Sequence, residues 1–312
     1  MLKQISLLIL CAVAIVLFAT PVQACTSAVV SGKVTPDGRP LLWKNRDTDF
    51  MRNHVDYVKG EKYDFIAVVN SANAYLKEAW MGTNSAGFAL MNTQSYNLVD
   101  VKGDEERGAA NGRVIYRALE VCATVEDFCH FLDTISKPSD IEANFGVIDA
   151  QGGAAMFEVD YYKYVMYDAN NPKDAPYGYI ARTNFSFAGK VNEGAGYVRY
   201  MEADQVLMKA SATGSITPQF IFNDLSRSFR NRMLDIDLRS GAYNRPQASG
   251  WFVDQDFIPR SSTSCSVVVQ GVKPGEKAEL TTMWTLLGYP PTGIAVPLLS
   301  LIHISRAHET CA

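Results

Sequence analysis

The stretch ACTSAVVSGKVTPDGRPLLWKNRD, residues 24–47, decides the fold of this chain. Two short apolar runs, Thr26 to Ser31 and Pro40 to Lys44, flank the sequence TPDG, and Pro-Asp-Gly is typical of a tight turn. The stretch therefore predicts a β-hairpin. The hairpin begins directly after a cysteine, Cys25, and its second strand ends in a cluster of charged residues.

The residues before Cys25 have the features of a secretory signal. Lys3 supplies a positive charge, an almost unbroken apolar run extends from Ile5 to Phe18, and VQA at residues 22–24 places short side chains where a signal peptidase cuts. The run is shorter than the roughly 20 residues of a membrane-spanning helix. We expect residues 1–24 to be removed, which leaves a secreted or periplasmic chain that begins at Cys25. On this segment alone, a lipidated cysteine, as in a lipoprotein, stays open.

The composition excludes some partners. Without Lys3 the chain has 28 basic and 33 acidic residues, and it contains no basic block, so nucleic acid and anionic membrane surfaces are poor candidates. The cysteines lack metal-ligand spacing and there is no acyl-CoA or nucleotide motif, so no metal or cofactor is expected. An oxidising compartment permits a disulfide between Cys122 and Cys129. A homo-oligomer stays open.

The last residues, 299–312, read LSLIHISRAHETCA and break off the preceding pattern. They resemble translated sequencing-adapter read-through, so we expect a non-native tail and a single domain that spans residues 25–298. His54 and His130 are then the only histidines left.

Blocks of strands alternate with blocks of helices along the mature chain, which favours an α+β fold in which helices cover antiparallel sheets. Helices are expected at about residues 110–132, with Thr124 as an N-cap, and at 197–209 and 218–229. After the first hairpin, strands are expected at 64–69, 78–81, 88–92, 144–159 (a hairpin), 179–185, 264–271 and 278–285.

A catalytic thiol at Cys25 would need a base. His54 and His130 are the candidate histidines, and neither lies in a recognisable papain-like context; His130 lies in an amphipathic helix and reads as a surface residue. The α-amino group of an N-terminal cysteine offers another base, because its pKa is about 7.7 to 8.0 and it lies within reach of the thiol. Signal cleavage would create this base, since an amide nitrogen cannot accept a proton.

Several motifs follow Cys25-Thr26 in order: the DG turn, WKNRD, GTNSAGFALMN at residues 82–92, IDAQGGAAMFEV at 148–159 and ARTNF at 181–185. This order resembles that of N-terminal-nucleophile amide hydrolases, namely isopenicillin-N acyltransferase-like hydrolases, choloylglycine hydrolases with penicillin V acylases, and N-terminal-cysteine dipeptidases. The resemblance implies a four-layer αββα fold with two stacked antiparallel sheets. It also implies hydrolysis of a linear amide bond in a small N-acyl substrate through an acyl-enzyme, and it favours a free thiol. Dipeptidase or acyltransferase activity stays open.

The resemblance also implies roles for individual residues. Cys25 would be the nucleophile and Asp47 would orient its α-amino group. Asn184 would donate its side-chain amide to the oxyanion, and Asn92 would be a second donor. Glu158 is expected to be structural.

The charged end of the hairpin departs from the family pattern. The arginine that assists the nucleophile in the family aligns with Lys44, and Arg46 follows two residues later; both are candidates for oxyanion or substrate binding. Alternation along a strand would place Lys44 and Arg46 on one face, with Asn45 and Asp47 on the other. The segment after Asn184 lacks the long insertion and the clear arginine of bile-salt hydrolases.

Overall fold

The computed structural model describes residues 24–100, 108–240 and 256–299. Most of the expected signal peptide and of the expected non-native tail lies outside these ranges. Two antiparallel sheets dominate the described residues, with six and seven strands. A separate two-stranded ribbon pairs β11 (Arg230–Asn231) with β12 (Ile236–Asp237).

The six-stranded sheet contains the predicted first hairpin. Its strands are β1 (Thr26–Val30), β2 (Leu41–Asp47), β10 (Tyr179–Arg182), β13 (Thr263–Gln270), β14 (Thr282–Leu287) and β15 (Val296–Leu299). Their order across the sheet is β10-β1-β2-β13-β14-β15. β15 includes Leu299, the first residue of the segment expected to be non-native.

The seven-stranded sheet follows the chain from neighbour to neighbour. Its strands are β3 (Asn53–Val58), β4 (Phe65–Asn70), β5 (Met81–Asn84), β6 (Ala89–Gln94), β7 (Ala143–Ile148), β8 (Ala154–Val159) and β9 (Tyr164–Asp168). The strand predicted at residues 78–81 was placed too early, because β5 runs from Met81 to Asn84. β3, β9 and β15 were not predicted.

The helices are α1 (Asn111–Val121), α2 (Val125–Thr134), α3 (Tyr197–Ala212) and α4 (Pro218–Phe220), which continues as a π-helical stretch over Ile221–Leu225. The single helical block predicted at residues 110–132 is therefore two helices. Thr124 begins the second as predicted, since its hydroxyl accepts a hydrogen bond from Asp127 N and the Asp127 side chain binds back in a capping box.

Three apolar layers separate four layers of secondary structure. The α1–α2 pair packs on the outer face of the seven-stranded sheet around Phe128. Val29, Leu42 and Met91 contribute to the layer between the sheets. On the outer face of the six-stranded sheet, Trp43 packs among apolar residues of α3 and α4. The predicted αββα fold with two stacked antiparallel sheets is confirmed.

Alternation along β2 assigns its charged residues to faces as predicted. Leu42 belongs to the layer between the sheets, and Lys44, two residues on, reaches Trp80 beside the other sheet. Asn45 points the opposite way, where its side chain donates to Ser226 O at 3.0 Å beyond the end of α4. Arg46 therefore shares the inter-sheet face with Lys44, and Asp47 shares the helix face with Asn45.

The disulfide that the sequence permitted is absent, because Cys122 and Cys129 are free thiols. Cys122 is buried after the last residue of α1, whereas the Cys129 thiol lies 3.9 Å from Met166 Sδ on β9. Within the described ranges, no helix combines the length and apolarity needed to cross a bilayer.

Candidate active site

Cys25 lies at the start of β1 and is only 7% exposed. Its backbone nitrogen donates to Asn184 Oδ1 at 2.9 Å, and its Sγ lies 3.9 Å from the carbonyl oxygen of Asp47. The pairing of Thr26 with Asn45 places Cys25 beside Arg46 at the end of β2. Three residues that the sequence singled out therefore surround the cysteine.

Asn184 follows β10, and its amide has a defined orientation. Its Oδ1 accepts hydrogen bonds from Cys25 N and from Arg199 Nη2, each at 2.9 Å, while its Nδ2 donates to Gln94 O at 2.8 Å. The bond to Gln94 O uses one of the two N–H donors of the amide, so the oxyanion role expected for Asn184 stays a prediction. The amide turns its acceptor towards the nitrogen of Cys25.

Glu158 on β8 holds the loop that carries Asn184. Its carboxylate accepts hydrogen bonds from Arg182 Nε at 2.6 Å and from the backbone nitrogens of Phe187 and Ala188 at 2.8 and 2.7 Å. The Arg182 guanidinium also lies 4.0 Å from the centre of the Phe187 ring. Glu158 therefore has the expected structural role, because it holds the residues on either side of Asn184.

Asp47 is 1% exposed and lies on the helix side of β2. Its Oδ1 accepts from the Thr263 hydroxyl at 2.6 Å, whereas its Oδ2 is buried and has no hydrogen-bond partner among the described residues. Burial raises the pKa of Asp47 to about 7, although the positive charge of Arg199 acts in the opposite direction. A buried carboxylate oxygen without a donor is costly, and a nearby cation would stabilise it.

Arg199 is a site residue that the sequence did not indicate. It lies in α3, is 1% exposed, and donates through Nη1 to Cys25 O at 2.6 Å and to Thr26 Oγ1 at 2.9 Å. Its Nε forms an ion pair with Asp256 at 2.9 Å. Arg199 thus fixes both the cysteine backbone and, through Nη2, the amide of Asn184. The nearest sequence signal is Gly196, which has φ 84° and where a Cβ would collide with the guanidinium.

Lys44 is a buried cation at the point where two strands separate. The pairing of β5 with β6 ends at Met81 and Met91. The Lys44 ammonium binds the next residue of each strand, Trp80 O at 3.1 Å and Asn92 Oδ1 at 2.9 Å. Burial lowers the pKa of Lys44 to about 8, and the nearby thiol of Cys25 acts in the opposite direction.

Arg46 is the second buried cation on this face. Its guanidinium lies 4.6 Å from the centre of the Trp80 ring and donates to the side-chain oxygens of Asn53 and Asn70. Cys265 on β13 pairs with Arg46 across the sheet, and burial raises the pKa of its thiol.

Among the described residues, neither candidate histidine forms a hydrogen bond with Cys25. His54 lies on β3, at the edge of the seven-stranded sheet in the part of the chain that the structure describes, and its Nδ1 lies 3.1 Å from the Ser71 hydroxyl. The His130 side chain is 72% exposed beside Glu126. Among the described residues, no cluster of side chains is suited to hold a metal ion.

The sequence matches one protein-family profile, described as acyl-coenzyme A:6-aminopenicillanic acid acyl-transferase, over residues 34–211. The match covers more than half of the 312 residues. The chain belongs to this family. The resemblance to N-terminal-nucleophile hydrolases is thereby confirmed, and the chain is assigned to a group of amide hydrolases and acyltransferases. The match begins after Cys25 and so does not include that residue.

Three solved structures resemble the chain at low identity. The Caenorhabditis elegans orthologue of N-acylethanolamine-hydrolysing acid amidase is 15% identical, covers 64% of this chain and 89% of its own, and has a TM-score of 0.44. A cysteine-to-alanine mutant of conjugated bile acid hydrolase from Clostridium perfringens is 13% identical, with coverages of 88% and 92% and a TM-score of 0.46. Penicillin V acylase from Agrobacterium tumefaciens is 16% identical, with coverages of 84% and 82% and a TM-score of 0.43. No curated protein matches the sequence.

Proposed function

We propose that this protein is a secreted hydrolase of linear amide bonds whose nucleophile is the thiol of Cys25 and whose base is the α-amino group of the same residue. The observation that carries the proposal is the hydrogen bond from Cys25 N to Asn184 Oδ1. This nitrogen belongs to the residue that bears the thiol, and it would become an amine on signal cleavage. In the structure it lies within hydrogen-bond distance of a buried acceptor.

Cleavage would also change the surroundings of Cys25. Ala24 is only 1% exposed, so in the uncleaved chain it fills space beside Cys25. Removal of residues 1–24 would open that space to a substrate. It would also convert an amide nitrogen, which cannot accept a proton, into an amine with a pKa near neutrality.

Asp47 has a role in this proposal once the amine exists. Its unpartnered Oδ2 is a buried acceptor, and an α-ammonium group brings N–H donors that the amide lacked. Thr263 already holds Oδ1, so the orientation of the carboxylate is fixed. Asp47 would stabilise the protonated amine, and Asn184 would hold the same nitrogen from the other side.

The reaction would then proceed in two steps. The α-amino group of Cys25 takes the thiol proton while Sγ attacks the carbonyl carbon of the substrate amide. The α-ammonium group then gives that proton to the departing amine of the substrate as the acyl-enzyme forms. Water hydrolyses the thioester by the same proton transfers in the second step. Asn92 is proposed as an oxyanion donor, because Lys44 binds its Oδ1 and thereby leaves its Nδ2 to face a ligand.

The test compares mature protein that begins at Cys25 with protein that carries one added glycine before it. The added residue keeps the thiol and turns the amine into an amide, so hydrolysis should fall to background while the melting temperature stays the same. Hydrolysis would be assayed on N-acyl amino acids, bile conjugates, penicillin V and dipeptides. The double variant His54→Ala, His130→Ala is the control and should retain activity.

Two outcomes would contradict the proposal. Full activity of the glycine-extended protein, with its intact mass confirmed after the assay, would show that the amine is dispensable. An exported protein whose Cys25 carries lipid on its thiol and amine would favour the alternative class, a ligand-binding lipoprotein without catalysis. Adding free amines during turnover would distinguish hydrolysis from acyl transfer, which is the alternative within the family.

A further inference from the structure

The face of β2 that Cys25 shares carries two buried positive charges. Lys44 is 2% exposed and Arg46 is 3% exposed. Burial is the largest influence on both groups and lowers the pKa of each. Placing two like charges at neighbouring positions of one strand face costs folding free energy, so a stabilising partner is expected.

Within the described residues, the hydrogen-bond partners of these charges are neutral. Arg46 binds the amide oxygens of Asn53 and Asn70, and Lys44 binds Asn92 Oδ1 and a backbone carbonyl. Across the described parts of the chain, no carboxylate lies within 4 Å of either cation, although the same structure neutralises the buried Arg182 with Glu158. Asp47 faces the other side of the strand. The two charges are therefore left for an anion that comes from outside.

The Arg46 guanidinium is suited to bind such an anion. It has five N–H donors in a planar fork, and two of them are used, one each by Asn53 and Asn70. The Trp80 ring lies against one face of the guanidinium and fixes its plane. A fixed fork of this kind binds a carboxylate through two parallel hydrogen bonds, which a lysine cannot do.

We propose that Arg46, assisted by the charge of Lys44, binds a carboxylate of the substrate and so makes the protein selective for amides that carry a carboxylate close to the scissile bond. This inference rests on the proposed function of Cys25. The carboxylate belongs either to the amine half, as in an N-acyl amino acid, or to the acyl half, as in a monoamide of a dicarboxylic acid.

A rival role for the two cations is to stabilise the thiolate of Cys25. The two roles differ in what they predict for neutral substrates. A thiolate-stabilising cation assists the cleavage of every amide, whereas a carboxylate-binding cation assists only anionic ones. Paired substrates that differ only by carboxylate and carboxamide therefore separate the roles.

The first experiment measures binding, so that its result does not depend on turnover. Mature Cys25→Ala protein is titrated calorimetrically with N-benzoylglycine and N-benzoylglycinamide for the amine half, and with succinic acid monoanilide and its carboxamide for the acyl half. We expect one carboxylate to bind roughly ten- to a hundred-fold more tightly than its carboxamide. Adding Arg46→Gln should remove that preference, while Arg52→Gln, which removes an exposed arginine, should keep it.

The second experiment measures kcat/KM with Cys25 intact. Arg46→Gln should lower it roughly ten- to a hundred-fold for the preferred anionic amide and less than about three-fold for its neutral counterpart. Arg46→Lys should restore only part of the loss, because it keeps the charge without the fork. Equal losses on both substrates, a carboxylate preference that survives Arg46→Gln, or no binding of either carboxylate at millimolar concentration would overturn the inference. Absence of turnover together with selective carboxylate binding would overturn the proposed function alone.

Discussion

The burial of Lys44 predicts a measurable dependence of stability on pH. The pKa of its ammonium falls from 10.5 to about 8 in the folded state. Between these two values the unfolded chain binds more protons than the folded one, so stability rises with pH as the folded-state charge is lost. Below about pH 8 both states are protonated, and the destabilisation by the buried charge is fully present.

The magnitude follows from the two pKa values. The pKa difference corresponds to a destabilisation of about 3 kcal/mol at about pH 6.5 and of about 1 kcal/mol at about pH 9.5. Lys44→Met removes the titrating group. Wild type should therefore gain about 2 kcal/mol of unfolding free energy relative to this variant between the two pH values. Lys44→Met loses the hydrogen bonds to Asn92 and to Trp80 O at every pH. Their loss changes the stability difference between the two proteins by a constant amount and does not affect its dependence on pH.

The assay is urea unfolding of both proteins across this pH range. Lys163→Met is the control, because it removes one exposed lysine and adds the same methionine. A stability difference between Lys44→Met and wild type that stays constant with pH, or that moves in the opposite direction, would refute the assignment of a desolvated, charged Lys44.

Three further predictions test other parts of the structure. Glu158→Gln should lower the unfolding free energy by about 3 kcal/mol, because it leaves the buried guanidinium of Arg182 without a negative charge. It should also lower kcat/KM by loosening the loop that carries Asn184. Urea unfolding measures the first effect and steady-state kinetics the second. Thr124→Ala should lower the unfolding free energy by about 1 kcal/mol, because the N-cap hydrogen bond is lost, and it should leave kcat/KM unchanged. A loss of activity would show that Thr124 does more than cap the helix. Iodoacetamide at neutral pH should label mature protein at Cys25 before Cys122, whose pKa burial raises to about 12; peptide mass mapping gives the order, and prior labelling of Cys122 would contradict it.

The sequence predicted the features that depend on neighbouring residues. The Pro-Asp-Gly turn, the strand alternation that separates Lys44 from Asp47, and the N-cap at Thr124 all follow from local chemistry. The ordered motifs also indicated the αββα fold, because they report a known family arrangement.

Features that depend on distant contacts were missed. Arg199 is 174 residues from Cys25 along the chain, and its residue type gives no sign of the contact. The orientation of the Asn184 amide depends on which donors and acceptors surround it, so the motif did not indicate that its oxygen accepts hydrogen bonds from Cys25 N and Arg199. The contact between Lys44 and Asn92 arises where β5 and β6 separate, which no local pattern marks.

The order of strands in the six-stranded sheet has a consequence for how the protein folds. β2 lies between β1, its neighbour in the chain, and β13, which follows more than 200 residues later: Ser266 pairs with Asn45. Until β13 is synthesised, one edge of the strand that carries Lys44 and Arg46 has no partner, and an unpaired edge can pair with another chain. Closing so long a loop makes this pairing late and slow. The family match spans residues 34–211, so a fragment cut to the matched range would lack Cys25 and both strands that flank β2, β1 and β13.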